Sequence, residues 1–159
     1  MGFRIAGLDP APFAHWRTLS DAALAKQGAV RVRIDRAHVA PCRISLDDAA
    51  PGEEVILLNF EHQSANTPYR QQGPIYVREG YLREGQGRCE MTDSLPPALA
   101  RRTLSLRGFD AQGMMIEADL VEGAEAAALI AAIFANAEVV YIHAHYARRG
   151  CFAARIDRA

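Results

Sequence analysis

The feature that most constrains this fold is a series of short apolar runs whose connections are too short to hold a helical crossover. Val30 to Asp35 alternates between apolar and polar residues, as a half-buried strand does, whereas Val55 to Leu58 is apolar on both faces, as a central strand is. Strands joined by short connections pair antiparallel. Glu125 to Asn136 is the clearest helix, because its apolar residues repeat at helical spacing. The sequence therefore predicts an α+β fold in which two or three helices pack against a mixed, mainly antiparallel sheet.

The remaining elements follow from the same kinds of pattern. Alternating runs predict strands at 3–8, 42–46, 75–78, 139–146 and 151–157, and a hairpin with arms at 104–109 and 114–121. Capping signals predict helices at 20–28 and from residue 93 or 94 to 102. In the second arm of the hairpin, Met114, Ile116 and Leu120 are expected to face the core. Residues 63–74 are polar and are expected to form a long loop, which suits a ligand lid.

Length and charge limit the classes of protein. The chain has 159 residues, of which 50% are hydrophobic, so it can bury a sizeable core without disulfides or metal ions. No linker or internal repeat stands out, which predicts a single domain over residues 1–159. The formal net charge is -1 and no long run of one sign occurs, whereas nucleic-acid binding needs a concentrated basic surface. We therefore expect no nucleic-acid partner.

Three features predict a cytoplasmic protein without a membrane partner. No apolar stretch approaches the roughly 20 residues needed to cross a bilayer. The first residues lack the apolar run of a signal peptide. Cys42, Cys89 and Cys151 are an odd number of cysteines without CxxC spacing, which favours free thiols in a reducing compartment.

The most chemically capable segment is the predicted strand at 139–146. His143 and His145 are two residues apart, so in a strand both rings lie on one face, about 6 to 7 Å apart. That separation allows the two rings to share a metal ion with a third ligand. Candidate third ligands are His62, Glu61 and Cys151. The alternative is that the histidines line a pocket wall or belong to a hydrogen-bonded core.

The position of Cys151 depends on the turn before it. An odd number of residues between the last two strands places Cys151 on the face of the two histidines, and an even number places it on the opposite face. A cysteine beside a histidine can be an activated nucleophile, while a buried free cysteine otherwise behaves as a small apolar residue. The sequence leaves both readings open.

Several polar residues are candidates for the rim of a ligand pocket. Arginine presents a planar fork of donors that matches a carboxylate or phosphate, so Arg148, at the last strand turn, is one candidate. Arg43 and Arg70 are two more, if the loop after His62 folds over the same end of the sheet. Tyr69 would add a phenol beside Arg70. The sequence has no GxGxxG, Walker A, GxSxG or HExxH motif, which removes the familiar nucleotide-binding and hydrolase mechanisms.

A resemblance spans nearly the whole chain. The runs that carry it are Cys42 to Ala49, Pro51 to Glu54, Leu58 to Gln63, Pro68 to Arg70, Leu104 to Asp110, Gly113 to Met115 and Tyr141 to Ala147. In combination, these runs resemble a bacterial family catalogued as domain of unknown function 1203. The resemblance implies a single-domain bacterial protein with no established activity, so it assigns no catalytic residue.

Three functional hypotheses follow. The first is a domain that binds a small anionic molecule in a pocket lined by His62, His143 and His145, with Arg43, Arg70, Arg148 and Tyr69 at its rim. The second is a metal-dependent enzyme that uses His143, His145 and a third ligand, with an open position for water. The third is a structural or protein-interaction domain without a small-molecule site. The sequence identifies no cofactor and sets no oligomeric state, and whether the chain is an enzyme stays open.

Overall fold

The computed structural model describes residues 2–83 and 85–159, whose strands form two antiparallel sheets. The strands are β1 Phe3–Ala6, β2 Val30–Arg33, β3 Glu54–Gln63, β4 Gln71–Arg78, β5 Glu90–Thr92, β6 Thr103–Phe109, β7 Met115–Glu122, β8 Tyr141–Tyr146 and β9 Phe152–Arg158. The α-helices are α1 Asp21–Lys26, α2 Pro97–Ala100 and α3 Ala126–Ala135, and shorter 3-10 helices span Ala11–Thr18, Glu79–Leu82 and Gly123–Glu125. The predicted α+β class is confirmed.

The larger sheet has the strand order β5-β1-β9-β8-β6-β7, and the smaller has the order β2-β3-β4. One face of the larger sheet carries Leu106, Ile142 and Ile156, which pack against Ile130 and Phe134 of α3. A second core lies on the smaller sheet, where Ile56, Leu58, Ile75 and Val77 pack against Phe13 and Leu24 of the N-terminal helices. The other face of the larger sheet meets β3, and this is where the polar residues collect.

The strand predicted at 42–46 is a buried turn. The Leu46 N–H donates to the Cys42 carbonyl at 3.0 Å, and Leu46 has a φ of 52°. Cys42 and Ile44 belong to the core of the smaller sheet, whereas Leu46 belongs to the core of the larger one. The apolar positions alternate because side chains of this turn pack into both cores. The sequence pattern of such a turn is the same as that of a half-buried strand.

The second arm of the hairpin does not face the core as expected. Leu120 is 64% exposed, and Met114 and Ile116 are also exposed. β7 is the last strand of the larger sheet, and Leu120 pairs with Ser105, whose partner on β8 is His145, so Leu120 lies on the face away from α3. A register shift between Gly108 and Phe109 interrupts the alternation at the start of β7. The polar loop predicted at 63–74 is shorter than expected, since Gln71–Arg78 already forms β4. Within the described residues, no helix is long and apolar enough to span a membrane.

Candidate metal centre and adjoining cleft

Two of the site's side chains come from β8, at the centre of the larger sheet. Its residues alternate between two faces, so His143 and His145 share the face that Ile142 and Ala144 do not occupy. His143 pairs with Arg107 of β6 and with Arg155 of β9. His145 pairs with Ser105 and, after a register shift, with Phe152. Both histidines are almost fully buried.

The third histidine comes from the smaller sheet. The pairing of β3 with β4 shifts between Glu61 and Gln63, and His62 is the residue at this bulge. Its ring stacks on Phe152 of β9, with centroids 5.1 Å apart and an interplanar angle of 6°. Phe152 of the larger sheet therefore contacts the smaller sheet and fixes the plane of the His62 ring.

These three histidines form a compact triad. One ring nitrogen from each of His62, His143 and His145 lies within 4.8 Å of the other two. Tetrahedral zinc, with Zn–N distances of about 2.0–2.1 Å, holds its nitrogens roughly 3.4 Å apart. Each nitrogen would therefore move by less than about 1 Å to close on an ion. Ring rotations supply movements of that size.

The hydrogen bonds leave nitrogen lone pairs free in the triad. His145 Nδ1 lies 3.0 Å from the Gly150 carbonyl oxygen. A carbonyl only accepts, so Nδ1 carries the proton and donates, which leaves the lone pair on Nε2. His145 Nε2, His143 Nδ1 and His62 Nδ1 are buried and have no hydrogen-bond partner among the described residues. A histidine held by a backbone carbonyl on one nitrogen and free on the other is typical of metal ligands.

Burial keeps all three rings neutral at pH 7. Desolvation is the largest cause in each case, and it lowers the pKa of His143 to about 3 and the pKa values of His62 and His145 to about 4. Positive charge on Arg107 lowers all three further. Neutral imidazole is the form that binds a metal ion, so the rings need not lose a proton before binding one.

A cleft of about 220 Å³ opens beside the triad. The residues that line it are His62, Gln63, Pro68, Tyr69, Arg70, Gln71, Arg107, Phe109, Met115 and His145. No aspartate or glutamate is among the described lining residues. The cleft thus combines two histidines of the triad with guanidinium, amide and apolar groups.

One wall of the cleft is the loop at 64–70, which is fixed to the turn of the β6–β7 hairpin. The Thr67 hydroxyl donates to the Gly113 carbonyl at 3.2 Å, and the Gln63 side-chain amide donates to the Tyr141 hydroxyl at 2.8 Å. Gly113 has a φ of +82°, and a Cβ there would collide with the Cβ of Ala65. Glycine at 113 is therefore required by both its backbone conformation and the close approach of the loop.

The comparison with protein families places these residues in a known group. A family model described as "Protein of unknown function (DUF1203)" matches residues 39–158. The chain belongs to this family. No curated protein and no solved structure matches it. The residues matched to DUF1203 include the whole triad and every residue that lines the cleft.

In this DUF1203 chain, five of the predicted site residues are brought together. His62, His143 and His145 form the triad, and Tyr69 and Arg70 lie on the wall of the cleft. The Arg70 guanidinium is paired with the Glu61 carboxylate at 2.9 Å, so its charge is offset. The three rings are therefore close enough for the predicted metal site at His143 and His145, with His62 as the third ligand.

Arg43 and Arg148 lie elsewhere. Arg43 is buried, donates from Nε to the Phe152 carbonyl at 2.7 Å, and also donates to the Pro41 carbonyl. Its guanidinium lies 5.0 Å from the centre of the Tyr146 ring. Arg148 is exposed in the turn between β8 and β9 and does not line the cleft. The sequence predicts both arginines at the rim of a pocket. Instead, Arg43 binds backbone carbonyls and Arg148 lies in an exposed turn.

The two other candidate ligands are also placed elsewhere. Phe152 pairs with His145, so Cys151 falls at the alternate position and is not in the ligand group. Glu61 is held by Arg70. Arg107 and Phe109 were missed as site residues. The two residues are two positions apart in the first arm of the hairpin, so the sequence places them on one face of that strand. Only the pairing of β6 with β8 shows that this face carries the histidines.

Proposed function

We propose that this DUF1203 protein binds one divalent transition-metal ion through His62, His143 and His145 and acts as a metal-dependent enzyme on a small anionic molecule. The observation that carries the proposal is the set of buried, unpartnered imidazole nitrogens on three converging rings. Buried polar atoms normally have a hydrogen-bond partner, and each exception calls for an explanation. A metal ion that takes one nitrogen from each ring would account for the convergence of the three rings.

The donor set favours zinc. Imidazole suits zinc, copper, iron and nickel, whereas magnesium and calcium require oxygen ligands, which the triad lacks. Three protein ligands with a fourth position left for water or substrate are typical of catalytic zinc, and structural zinc has four. His62 and His145 line the cleft, so water or a substrate in the cleft could reach the fourth position of an ion that they hold.

The surroundings suit a negatively charged substrate. An ion with three neutral ligands keeps its full positive charge, and it would polarise a bound oxygen as a Lewis acid. Arg107 lines the same cleft and can stabilise negative charge that develops during a reaction. Without the ion, the three neutral rings contribute no positive charge, so a metal-free anion pocket is less well supported than the metal centre.

We also propose a cytoplasmic location. Cys42, Cys89 and Cys151 are free thiols. Free thiols persist in reducing compartments and are oxidised or paired in most secreted proteins. The proposal rests on that redox argument.

Metal content tests the proposed function directly. Protein prepared without a histidine tag is loaded with zinc, dialysed and analysed by inductively coupled plasma mass spectrometry. We expect about one ion per chain, and a melting temperature that falls on chelation, because a ligand at about 100 times its dissociation constant adds roughly 2.7 kcal/mol to stability.

Matched variants assign the ion to the triad. His62→Ala and His145→Ala should each reduce the bound zinc to background, since two imidazoles no longer hold it. His15→Ala is the control, because His15 is exposed and outside the triad. Zinc content that is equal in all of these variants would show that the triad is not the site, and the proposal would fail.

A further inference from the structure

Arg107 is a half-buried arginine that lines the cleft and forms no ion pair among the described residues. Seven arginines form ion pairs with carboxylates, namely Arg31, Arg70, Arg78, Arg88, Arg101, Arg102 and Arg155. Arg107 has no carboxylate within 4.0 Å among the described residues. Its guanidinium donates to the Ser105 hydroxyl and to the side-chain carbonyl of Gln71, both at the long distance of 3.4 Å. Most of its donor capacity is therefore unused.

The position of Arg107 is fixed relative to the triad. It pairs with His143 across β6 and β8, so its side chain leaves the sheet on the same face as the His143 ring. It also lines the cleft together with His145. Its side chain is half-buried, so the guanidinium is partly removed from water without a carboxylate beside it among the described residues. An anion in the cleft would supply the negative charge.

The rest of the cleft limits what the anion can be. Phe109 pairs with Met115 across β6 and β7, and its ring lies 6.4 Å from the ring of Tyr69, so these residues give the cleft an apolar part. The volume of about 220 Å³ is smaller than the roughly 300–1,000 Å³ of pockets that hold drug-sized molecules. Binding of a bare inorganic ion would leave that apolar surface uncovered. A small organic anion covers it and fits the volume.

We infer that Arg107 is the specificity-determining residue of the cleft and that the ligand is a small monocarboxylate with a short apolar body. Its carboxylate takes the bidentate fork of Arg107, and its apolar part lies against Phe109 and Met115. An oxygen of the same carboxylate also reaches the metal ion, so this inference rests on the proposed metal centre for its second anchor. Phosphate is the poorer match, because it has no apolar part and no second unpaired arginine lines the cleft among the described residues.

Cobalt-substituted protein provides the test, because the visible absorption of cobalt(II) responds to a new ligand beside it. The probes are benzoate, acetate and inorganic phosphate at constant ionic strength, and isothermal titration calorimetry measures the same additions. We expect benzoate to bind more tightly than acetate, and both to bind more tightly than phosphate. Phosphate binding more tightly than either carboxylate would overturn the assignment of the ligand class.

Three variants isolate the role of Arg107. Arg107→Gln should weaken benzoate binding roughly 10- to 100-fold, since it removes a charge-assisted hydrogen-bonded pair. Arg107→Lys keeps the charge but loses the fork, so its binding should be intermediate. Arg148→Gln is the control, because Arg148 is exposed and is not among the described residues that line the cleft. It should change benzoate affinity by less than about threefold.

The two proposals fail in different ways. If cobalt is not taken up, the metal centre is wrong. Calorimetry on the metal-free protein then decides the role of Arg107 by comparing the wild type with Arg107→Gln. If cobalt is taken up normally and Arg107→Gln binds benzoate as tightly as the wild type, the metal centre stands and the role of Arg107 is wrong. Normal cobalt uptake and an unchanged melting temperature in Arg107→Gln show that the variant is folded.

Discussion

The two faces of β8 are equally buried but differ in what their atoms contact. All six residues of Tyr141–Tyr146 are buried. On one face, Ile142 and Ala144 pack into the core beneath α3. On the other, His143 and His145 face β3 and keep ring nitrogens without hydrogen-bond partners. The same strand thus has one face that packs mainly apolar groups, with the Tyr146 hydroxyl as its one polar atom without a partner among the described residues, and one face that carries both histidines.

This difference separates stability from function. Apolar burial contributes roughly 25 cal/mol per Å² and requires no partner of particular chemistry, so the α3 face is sufficient to hold the strand in place. A buried polar atom without a partner costs about 1–3 kcal/mol, so the histidine face lowers the stability of the metal-free protein. Residues that destabilise a fold are expected where they bind something. The predictions below test that division, from the largest effect to the smallest.

Truncating the α3 face should have the largest effect on stability. Ile142→Ala leaves a cavity under α3, which is expected to lower the free energy of unfolding by about 2–5 kcal/mol. Zinc stoichiometry should remain about one, because no ligand is changed. Urea denaturation of the metal-free protein and metal analysis of the loaded protein measure the two quantities. A variant that lost its zinc while still folded would show that the two faces are not separable.

Acidification should destabilise the metal-free protein through the histidine face. The three histidines have folded-state pKa values near 3 to 4, below the ordinary value of 6.5, so the unfolded chain binds more protons between those limits. Stability is therefore fully present above about pH 6.5 and is lost as the pH falls toward 4. Each histidine contributes at most about 1.4 kcal/mol per pH unit.

Urea midpoints measured between pH 7 and pH 4.5 in the presence of a chelator test this expectation. Ile142→Ala should show the same slope as the wild type, displaced to lower stability. A flat profile in the wild type would mean that the rings are not buried in neutral form.

Replacing a histidine by an apolar residue should have the opposite sign to a core truncation. His143→Leu removes a buried Nδ1 without a partner and has a similar volume, so the metal-free variant should be more stable than the wild type by up to about 1–2 kcal/mol. The same variant should no longer bind zinc. Chemical denaturation in chelator and metal analysis report the two outcomes. A variant that is strongly destabilised would indicate a structural role for the ring.

Arg148→Ala should have the smallest effect. Arg148 is exposed and does not line the cleft, so the change in stability should stay within about 0.5 kcal/mol. Zinc content and benzoate affinity should match the wild type. A clear loss of either would place the turn between β8 and β9 in the site.

The sequence predicts the components of this site better than their arrangement. Period-two alternation places His143 and His145 on one face, and β8 confirms that geometry. His62 was one of several candidate third ligands, because its approach depends on a bulge in β3 and on the packing of two sheets, neither of which has a local signal. The sequence makes Arg43 a candidate and does not single out Arg107, for the same reason. Which arginine faces the histidines is decided by strand pairing.

The fold shows the same limit. The class, the last helix and the final strands follow from local periodicity. The division into two sheets does not, because residues 42–46, which contribute to both cores, have the local pattern of a strand. Which residues pack into which core depends on contacts between segments that are far apart in the chain.

The triad joins the two sheets, with one ring on β3 and two on β8, and His62 and His143 are 81 positions apart in the chain (143 minus 62). An ion bound there is a removable cross-link that closes a long loop, and cross-links of this kind chiefly restrict the open chain. Amide hydrogens of β3 and β4 would then exchange slowly in the loaded protein and quickly after chelation. The lifetime of the folded chain in a cell would follow the local supply of metal.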